Sequence, residues 1–291
     1  MTKYLLSVIY ILILITMYSC EDVVDIELDT FEENLVVDAW INDLPGDKTI
    51  VLSQTANYFE SARTPKLSDA SVIVTRNATT DLVFESIGEG RYVYNGEIGN
   101  PGDSYELNID LGGQQYCATS EMKRVPTVDS IDVKFLENEL IIADGLYTQF
   151  FARDFDGIGD AYWIKTFKNG VFRDNPREMN IVFDAGFDAG TGIDGIIFIP
   201  PIRELMNPVD DEFLPIPWEV GEMVKVEIHS ITKDAFQWME IARDQMLNGD
   251  NSIFALPVTN TRGNISNCDS ENLALGFFNV SAVSSREKQI E

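Results

Sequence analysis

Between Asn34 and Glu121 the chain alternates apolar and polar residues in short segments that are cut repeatedly by glycine, proline and aspartate. Successive side chains of a strand point to opposite faces, so this pattern selects half-buried β-strands and leaves no room for long helices. The segments are Leu35–Ile41, Thr49–Ser53, Ala70–Arg76, Leu82–Ser86, Arg91–Tyr94, Ser104–Leu111 and Gln115–Ser120. Leu44-Pro45-Gly46-Asp47, Gly88-Glu89-Gly90, Asn100-Pro101-Gly102-Asp103 and Gly112-Gly113 supply turns between them. Seven short strands at this spacing predict an immunoglobulin-like β-sandwich over residues 34–124. Tyr92, Tyr94, Tyr105 and Tyr116 are expected to serve its packing.

Pro126 denies a central strand one ladder donor, so Lys123-Arg124-Val125-Pro126-Thr127 reads as a joint. A second, β-rich domain is expected over 125–291. Its strands are Ser130–Leu136, Gln149–Arg153, Ala161–Phe167, Ile193–Ile199, Met223–Ile231 and Ala274–Ala282, with long Gly-, Asp- and Pro-rich loops between Gly186 and Pro217. The fold class is therefore mainly β, with one α-helix near 233–248. Thr232 is its N-cap, Asp234 complements the dipole and Asn248-Gly249 closes it. Phe236, Met239 and Met246 follow helical spacing and are expected in the core.

The amino end has a different character. Met1-Thr2-Lys3 is cationic, Tyr4–Ile15 is apolar apart from Ser7, and Thr16-Met17-Tyr18-Ser19 leads to Cys20. The apolar block is shorter than the roughly 20 residues that span a bilayer. It has instead the length of a secretory signal's apolar region, and a cysteine stands where a lipoprotein signal is cut. The expectation is a signal peptide at 1–19, lipidation of Cys20, and an acidic tether over 20–33 carrying Glu21, Asp22, Asp25, Glu27 and Asp29.

Acids number 48 against 21 lysines and arginines, a formal net charge of −27 over 291 residues. Such a surface repels phosphate backbones, which excludes nucleic acid as a partner. Besides Cys20 the chain has Cys117 and Cys268. An exported compartment permits their pairing, but the alternation around Cys117 reads as a buried free thiol. The one histidine, His229, lies in an alternating strand, Val224–Ser230, and reads as an ordinary residue of that strand's polar face, so a Ser-His-Asp mechanism has little support.

Two stretches carry chemistry worth locating. Asp154-Phe155-Asp156-Gly157-Ile158-Gly159-Asp160 sets carboxylates among glycines, and Asp154, Asp156 and Asp160 are the candidate ligands of a calcium ion. Ile158 and Lys165 depart from the helix–loop–helix calcium pattern, so an acidic hairpin loop is the competing reading. Asp184, Asp188 and Asp194 form a second acidic, glycine-rich stretch that could complete such a site in three dimensions. In Asp211-Glu212-Phe213-Leu214-Pro215-Ile216-Pro217-Trp218, the aromatics Phe213 and Trp218 stand on a proline-stiffened loop that suits a ligand or partner. The alternative is that Trp218 fills the second core.

Several of these segments together resemble one family. Cys20–Ile26 followed by Leu35–Ile41, Val51–Phe59, Gly102–Leu107, Gly263–Asn267 and Ala274–Phe278 are similar, in order, to the domain-of-unknown-function family 4249. The resemblance implies a lipoprotein of the Bacteroidota outer membrane, surface-exposed, of a kind often encoded beside TonB-dependent receptors. It supplies no catalytic residues. The expected function is a non-enzymatic, lipid-anchored ligand-binding or accessory partner of such a receptor. A carboxylate-dependent surface hydrolase and an adhesin or structural spacer are the alternatives.

Overall fold

The computed structural model describes residues 33–56, 64–187, 192–212, 214–248, 261–268 and 273–291. The expected signal, Cys20 and the tether lie outside them. The first alternating segments become β1 (Leu35–Asn42), β2 (Asp47–Gln54), β3 (Ser71–Arg76), β4 (Thr80–Gly88), β5 (Arg91–Asn95), β6 (Ser104–Leu111) and β7 (Gln114–Glu121). In β1 the residues Leu35, Val37, Ala39 and Ile41 are buried and those between them are less so, the signature of a strand with one inward face. β4 pairs with β3 through Thr80–Phe84 and with β5 from Glu85 onward, its register shifting between Ser86 and Gly88. That change of partner curls the sheet over on itself, sandwich fashion, around a core that includes Val37, Ile50, Leu52, Val74, Tyr92 and Leu107. Tyr92 is fully buried, yet its hydroxyl accepts from the Ala70 N–H at 2.9 Å and donates to the Leu67 carbonyl at 3.0 Å, so no polar atom is orphaned.

The rest of the chain builds a hairpin of β8 (Val128–Leu136) and β9 (Gly145–Ala152), then β10 (Ala161–Lys168), β11 (Val171–Phe172), β12 (Asn180–Phe183) and β13 (Met223–Ile231). Among the described residues between β12 and β13 lies a short helix, α1 (Pro200–Glu204), and after β13 comes α2 (Lys233–Asn248). Thr232 Oγ1 accepts from the Ala235 N–H at 3.2 Å, the expected N-cap. The last strands are β14 (Ser266–Asn267), β15 (Leu275–Ser281) and β16 (Val283–Gln289). β10 pairs with β11, β12 and β13, and β16 closes the far side of β13. Tyr162, Ile164, Phe198, Trp218, Val226 and Ile228 form the second core.

β14 and β15 do not stay with this second region. β14 pairs with β7, and β15 runs parallel to β1, so both become outer strands of the first sheet. Seven strands from the amino-terminal half are thus completed by two from the carboxyl end. Glu33–Glu291 form one compact unit.

Three expectations are corrected. Ile193–Ile199 is no strand: Gly195 takes φ +66°, a single bridge joins Arg153 to Ile197, and Pro200 opens α1. Met246 is 47% exposed, while Phe236 and Met239 are buried as expected, because the end of α2 runs past the edge of the core. Cys117 is not a free thiol. It forms a disulfide with Cys268, whose Cα lies 5.7 Å away, because β14 aligns Ser266 with Cys117 and sets the next turn of chain beside it.

This bond closes a loop of sequence separation 151, which restricts the unfolded chain. Replacing both Cys117 and Cys268 by alanine is expected to lower the unfolding free energy by about 2–5 kcal/mol, read from denaturant titration. The oxidised chain, unfolded without reductant, should leave both sulfurs unreactive toward a thiol reagent.

Candidate functional site

The loop after β9 and the long excursion after β12 meet at the end of β10. Their meeting is fixed by backbone pairing. The Asp154 N–H donates to the Ile196 carbonyl at 2.9 Å, and the Asp184 N–H donates to the Asp160 carbonyl at 2.7 Å, extending the register that pairs Ala161 with Phe183. Carboxylate oxygens of Asp154, Asp184 and Asp194 consequently all lie within 4.8 Å of one another.

Each carboxylate is held in place. Asp154 is 3% exposed; its Oδ1 accepts from the Tyr162 hydroxyl at 2.7 Å and its Oδ2 from the Gly195 N–H at 3.4 Å. Asp184, 5% exposed, accepts from the N–H groups of Gly159 and Asp160 at 2.8 and 3.0 Å. Asp194 Oδ2 accepts from the Gly157 N–H at 3.1 Å, whereas its Oδ1 is buried without a partner. Gly195 suits this turn because its φ of +66° lies in the left-handed region that side-chain-bearing residues seldom adopt.

Of the three ligands expected from the first acidic stretch, only Asp154 belongs to the cluster. Asp160 turns to Arg124, which grips it through Nε at 3.0 and 3.1 Å and Nη2 at 2.5 Å. Asp156 is exposed, and its carbonyl accepts from Arg124 Nη2 at 3.1 Å. Asp184 and Asp194 come from the second stretch, and Asp188 lies outside the described residues. Arg124 was visible in the sequence only as part of the joint.

Electrostatics distinguish these groups. Two full charges 4.8 Å apart repel by about 3 kcal/mol at an effective dielectric near 20, so three ionised carboxylates demand compensation. Arg124 serves Asp160 instead of the trio. Burial pushes the Asp154 carboxyl above its ordinary 3.8, although the Tyr162 hydroxyl opposes the shift. The unpartnered Asp194 Oδ1 and the oxygen-only donor set match what a hard cation such as calcium takes.

The aromatic pair expected to face a partner is split. Trp218 is 3% exposed, its Nε1 donating to Asn207 Oδ1 at 3.1 Å and its N–H to the Leu146 carbonyl at 2.8 Å, so it fills the second core and presents nothing outward. Phe213 lies outside the described residues. His229, expected on a polar face, is instead 3% exposed, because that face of β13 packs against Trp163; it bonds Glu227 Oε2 at 2.9 Å, and burial holds its imidazole down to about 4.

A family model described as "Domain of unknown function (DUF4249)" matches residues 21–287. The chain belongs to that family. A search of curated proteins gave no match. For this DUF4249 member the match covers the first core, the second core apart from Ile290, the acidic cluster and both disulfide cysteines.

The raised Asp154 carboxyl gives a signed prediction. A buried acid whose folded pKa exceeds 3.8 weakens the fold above that folded value, and the cost disappears as pH falls to 3.8. Asp154→Asn keeps an oxygen for the Tyr162 hydroxyl and removes the charge. In chelator it is expected to raise the melting temperature at about pH 7.5, with the gain shrinking toward zero near the pH of the unfolded carboxyl. An unchanged or lower melting temperature at neutral pH would contradict the assignment.

Proposed function

We propose that this chain is a non-enzymatic protein held at the outer membrane by a lipid on Cys20, exposed at the cell surface, and acting there as a ligand-binding or accessory partner of a TonB-dependent receptor. The observation that carries the reading is the amino-terminal pattern, a cationic start and a short apolar block ending at Cys20. The Cys117–Cys268 bond supports export, since such bonds persist in oxidising compartments. The condition of His229 supports binding over histidine-dependent hydrolysis: the imidazole is buried, neutral and committed to Glu227.

Within this reading Asp154, Asp184 and Asp194 hold a calcium ion that ties the 193–197 segment to the end of β9. The carboxylate-dependent hydrolase is the second reading, favoured by the raised Asp154 carboxyl beside two other acids. Asp154 and Asp184 are 3% and 5% exposed, however, which suits an enclosed ion better than a glycan.

Mass spectrometry of the protein from its own cells is expected to find the chain beginning at an acylated Cys20, sedimenting with outer membranes and co-purifying with a receptor in mild detergent. An uncut amino end, or a cytosolic chain, would end the proposal. Calcium at about 10 mM is expected to raise the melting temperature by a few degrees relative to chelator. Asp184→Asn or Asp194→Asn should abolish the shift, and no shift in the unaltered chain rejects the ion.

A further inference from the structure

Three well-exposed apolar side chains gather at one hairpin. β8 and β9 form a two-stranded sheet of their own, and the loop joining them carries Leu140, 99% exposed, and Ile141, 73% exposed, with Phe135 at 62% on the strand below. A folded chain rarely leaves such residues together in water without use for them. The loop is held in shape: the Asn138 N–H donates to Asp144 Oδ1 at 2.9 Å, and the Tyr147 hydroxyl donates to the Ala143 carbonyl at 2.8 Å.

Behind the loop lies a cleft of about 210 Å³ whose apolar wall is Leu136, Ile142, Tyr147 and Pro215. Its far side is the proline-stiffened segment that runs to Trp218, docked on the hairpin through Gly145. A Cβ on Gly145 would stand 2.4 Å from Pro217 Cβ. Ile216, 41% exposed, continues the apolar surface on that side. Little entropy is lost on binding by a surface whose two walls are already fixed.

Charge selects the occupant. Glu137, Glu139 and Asp144 are exposed around Leu140 and Ile141, and Asp210, Asp211 and Glu212 on the proline-bearing segment; Glu204 also lines the cleft, and Lys134 is the one cation among these groups. A bilayer fits poorly, because Glu137 and Glu139 precede Leu140 so closely that inserting it would draw both carboxylates toward the hydrocarbon. A protein surface that offers an aliphatic side chain among lysines or arginines satisfies both features.

We propose that the β8–β9 hairpin tip and the adjoining cleft are a docking surface for a basic protein segment with a central aliphatic side chain. This inference rests on the reading of the chain as a partner-binding protein and names the surface it would use. The test takes the full processed chain in mild detergent, so its result does not depend on where the protein resides in the cell. The probe is a fluorescent peptide, Lys-Leu-Lys-Ile-Lys, with Glu-Leu-Glu-Ile-Glu as its control, and anisotropy is the readout.

The unaltered chain is expected to bind the lysine peptide and ignore the glutamate one. Leu140→Asp with Ile141→Asp makes the surface more acidic yet should weaken binding at least tenfold at an unchanged melting temperature. Glu137→Gln with Glu139→Gln should weaken it several-fold and flatten its dependence on salt. Failure of the lysine peptide to bind, equal binding of both peptides, or undiminished binding by the aspartate variant each overturns the surface. So would binding to phosphatidylcholine vesicles, or self-association in sedimentation, that the aspartate variant loses. An outer-membrane chain that keeps its receptor while the aspartate variant binds normally refutes the surface alone. A cytosolic chain refutes the wider reading alone.

Discussion

The last strands of the chain hold the architecture together. β15 belongs to the first sheet, parallel to β1, and β16 to the second, antiparallel to β13, with only Ala282 between them. At that residue the two sheets are bonded to each other. The Ser230 N–H donates to the Ala282 carbonyl and the Ala282 N–H donates to Ser230 Oγ, both at 3.0 Å. Asn279, fully buried in β15, accepts from the Thr232 N–H at 3.1 Å and so fixes the start of α2 as well. A parallel strand drawn from the far end of the sequence makes completion of the first sheet a long-range pairing, with a correspondingly large loop-closure cost.

The seam between the sheets shows what this junction has to bury. Trp40 of β1 stacks on Phe277 of β15 at 5.5 Å and meets Trp163 of β10 edge-on at 5.6 Å. Lys165, two residues along β10, lies 3.8 Å over the Trp163 ring, and burial lowers its ammonium to about 8. Opposite them on β13, Glu227 and His229 are buried side by side, with Lys225 bonded to Glu227 at 2.6 Å. Such a network adds little stability over a well-packed apolar equivalent, yet removing one member leaves a charge stranded. Its value lies in specifying register: a one-residue slip of β13 would turn Glu227 and His229 into the core that Val226 and Ile228 occupy.

Legibility in the sequence followed the range of the interaction. β1 to β7, β10, β13 and α2 were readable because alternation, turn residues and the Thr232 cap act within a few residues. β16 was not, since most of its side chains are exposed and polar and it is held instead by pairing with β13 and by Arg286 and Lys288 reaching the backbone of the neighbouring hairpin. Ile193–Ile199 looked like a strand, having the apolar content of one, but glycines and prolines bent it across the end of β9. The acidic cluster was half legible. Both contributing stretches stood out as aspartates among glycines, but which members would converge depended on the β10–β12 register and on Arg124, and neither leaves a local trace. The cysteine pair was hidden in the same way, because β14 has two residues and its partner strand is remote.

Charge distribution joins the cluster and the hairpin into one physical argument. The chain has few cations, and several are committed to partners within it: Arg124 to Asp160, Arg173 to Glu178, Lys225 to Glu227, and the exposed Arg286 and Lys288 to backbone carbonyls. Each such ion pair cancels one acid for one cation, so the rest of the chain still carries the net charge of −27. Self-repulsion of that surface opposes compaction and is screened only over about 8–10 Å at ordinary ionic strength. A structure of this kind gains from any external positive charge it can place well. A divalent ion would do so where carboxylates are buried, and a basic protein segment would do so where they ring an apolar tip. Both sites lie in the second region, the acidic cluster where two loops meet the end of β10 and the apolar tip on the separate β8–β9 sheet.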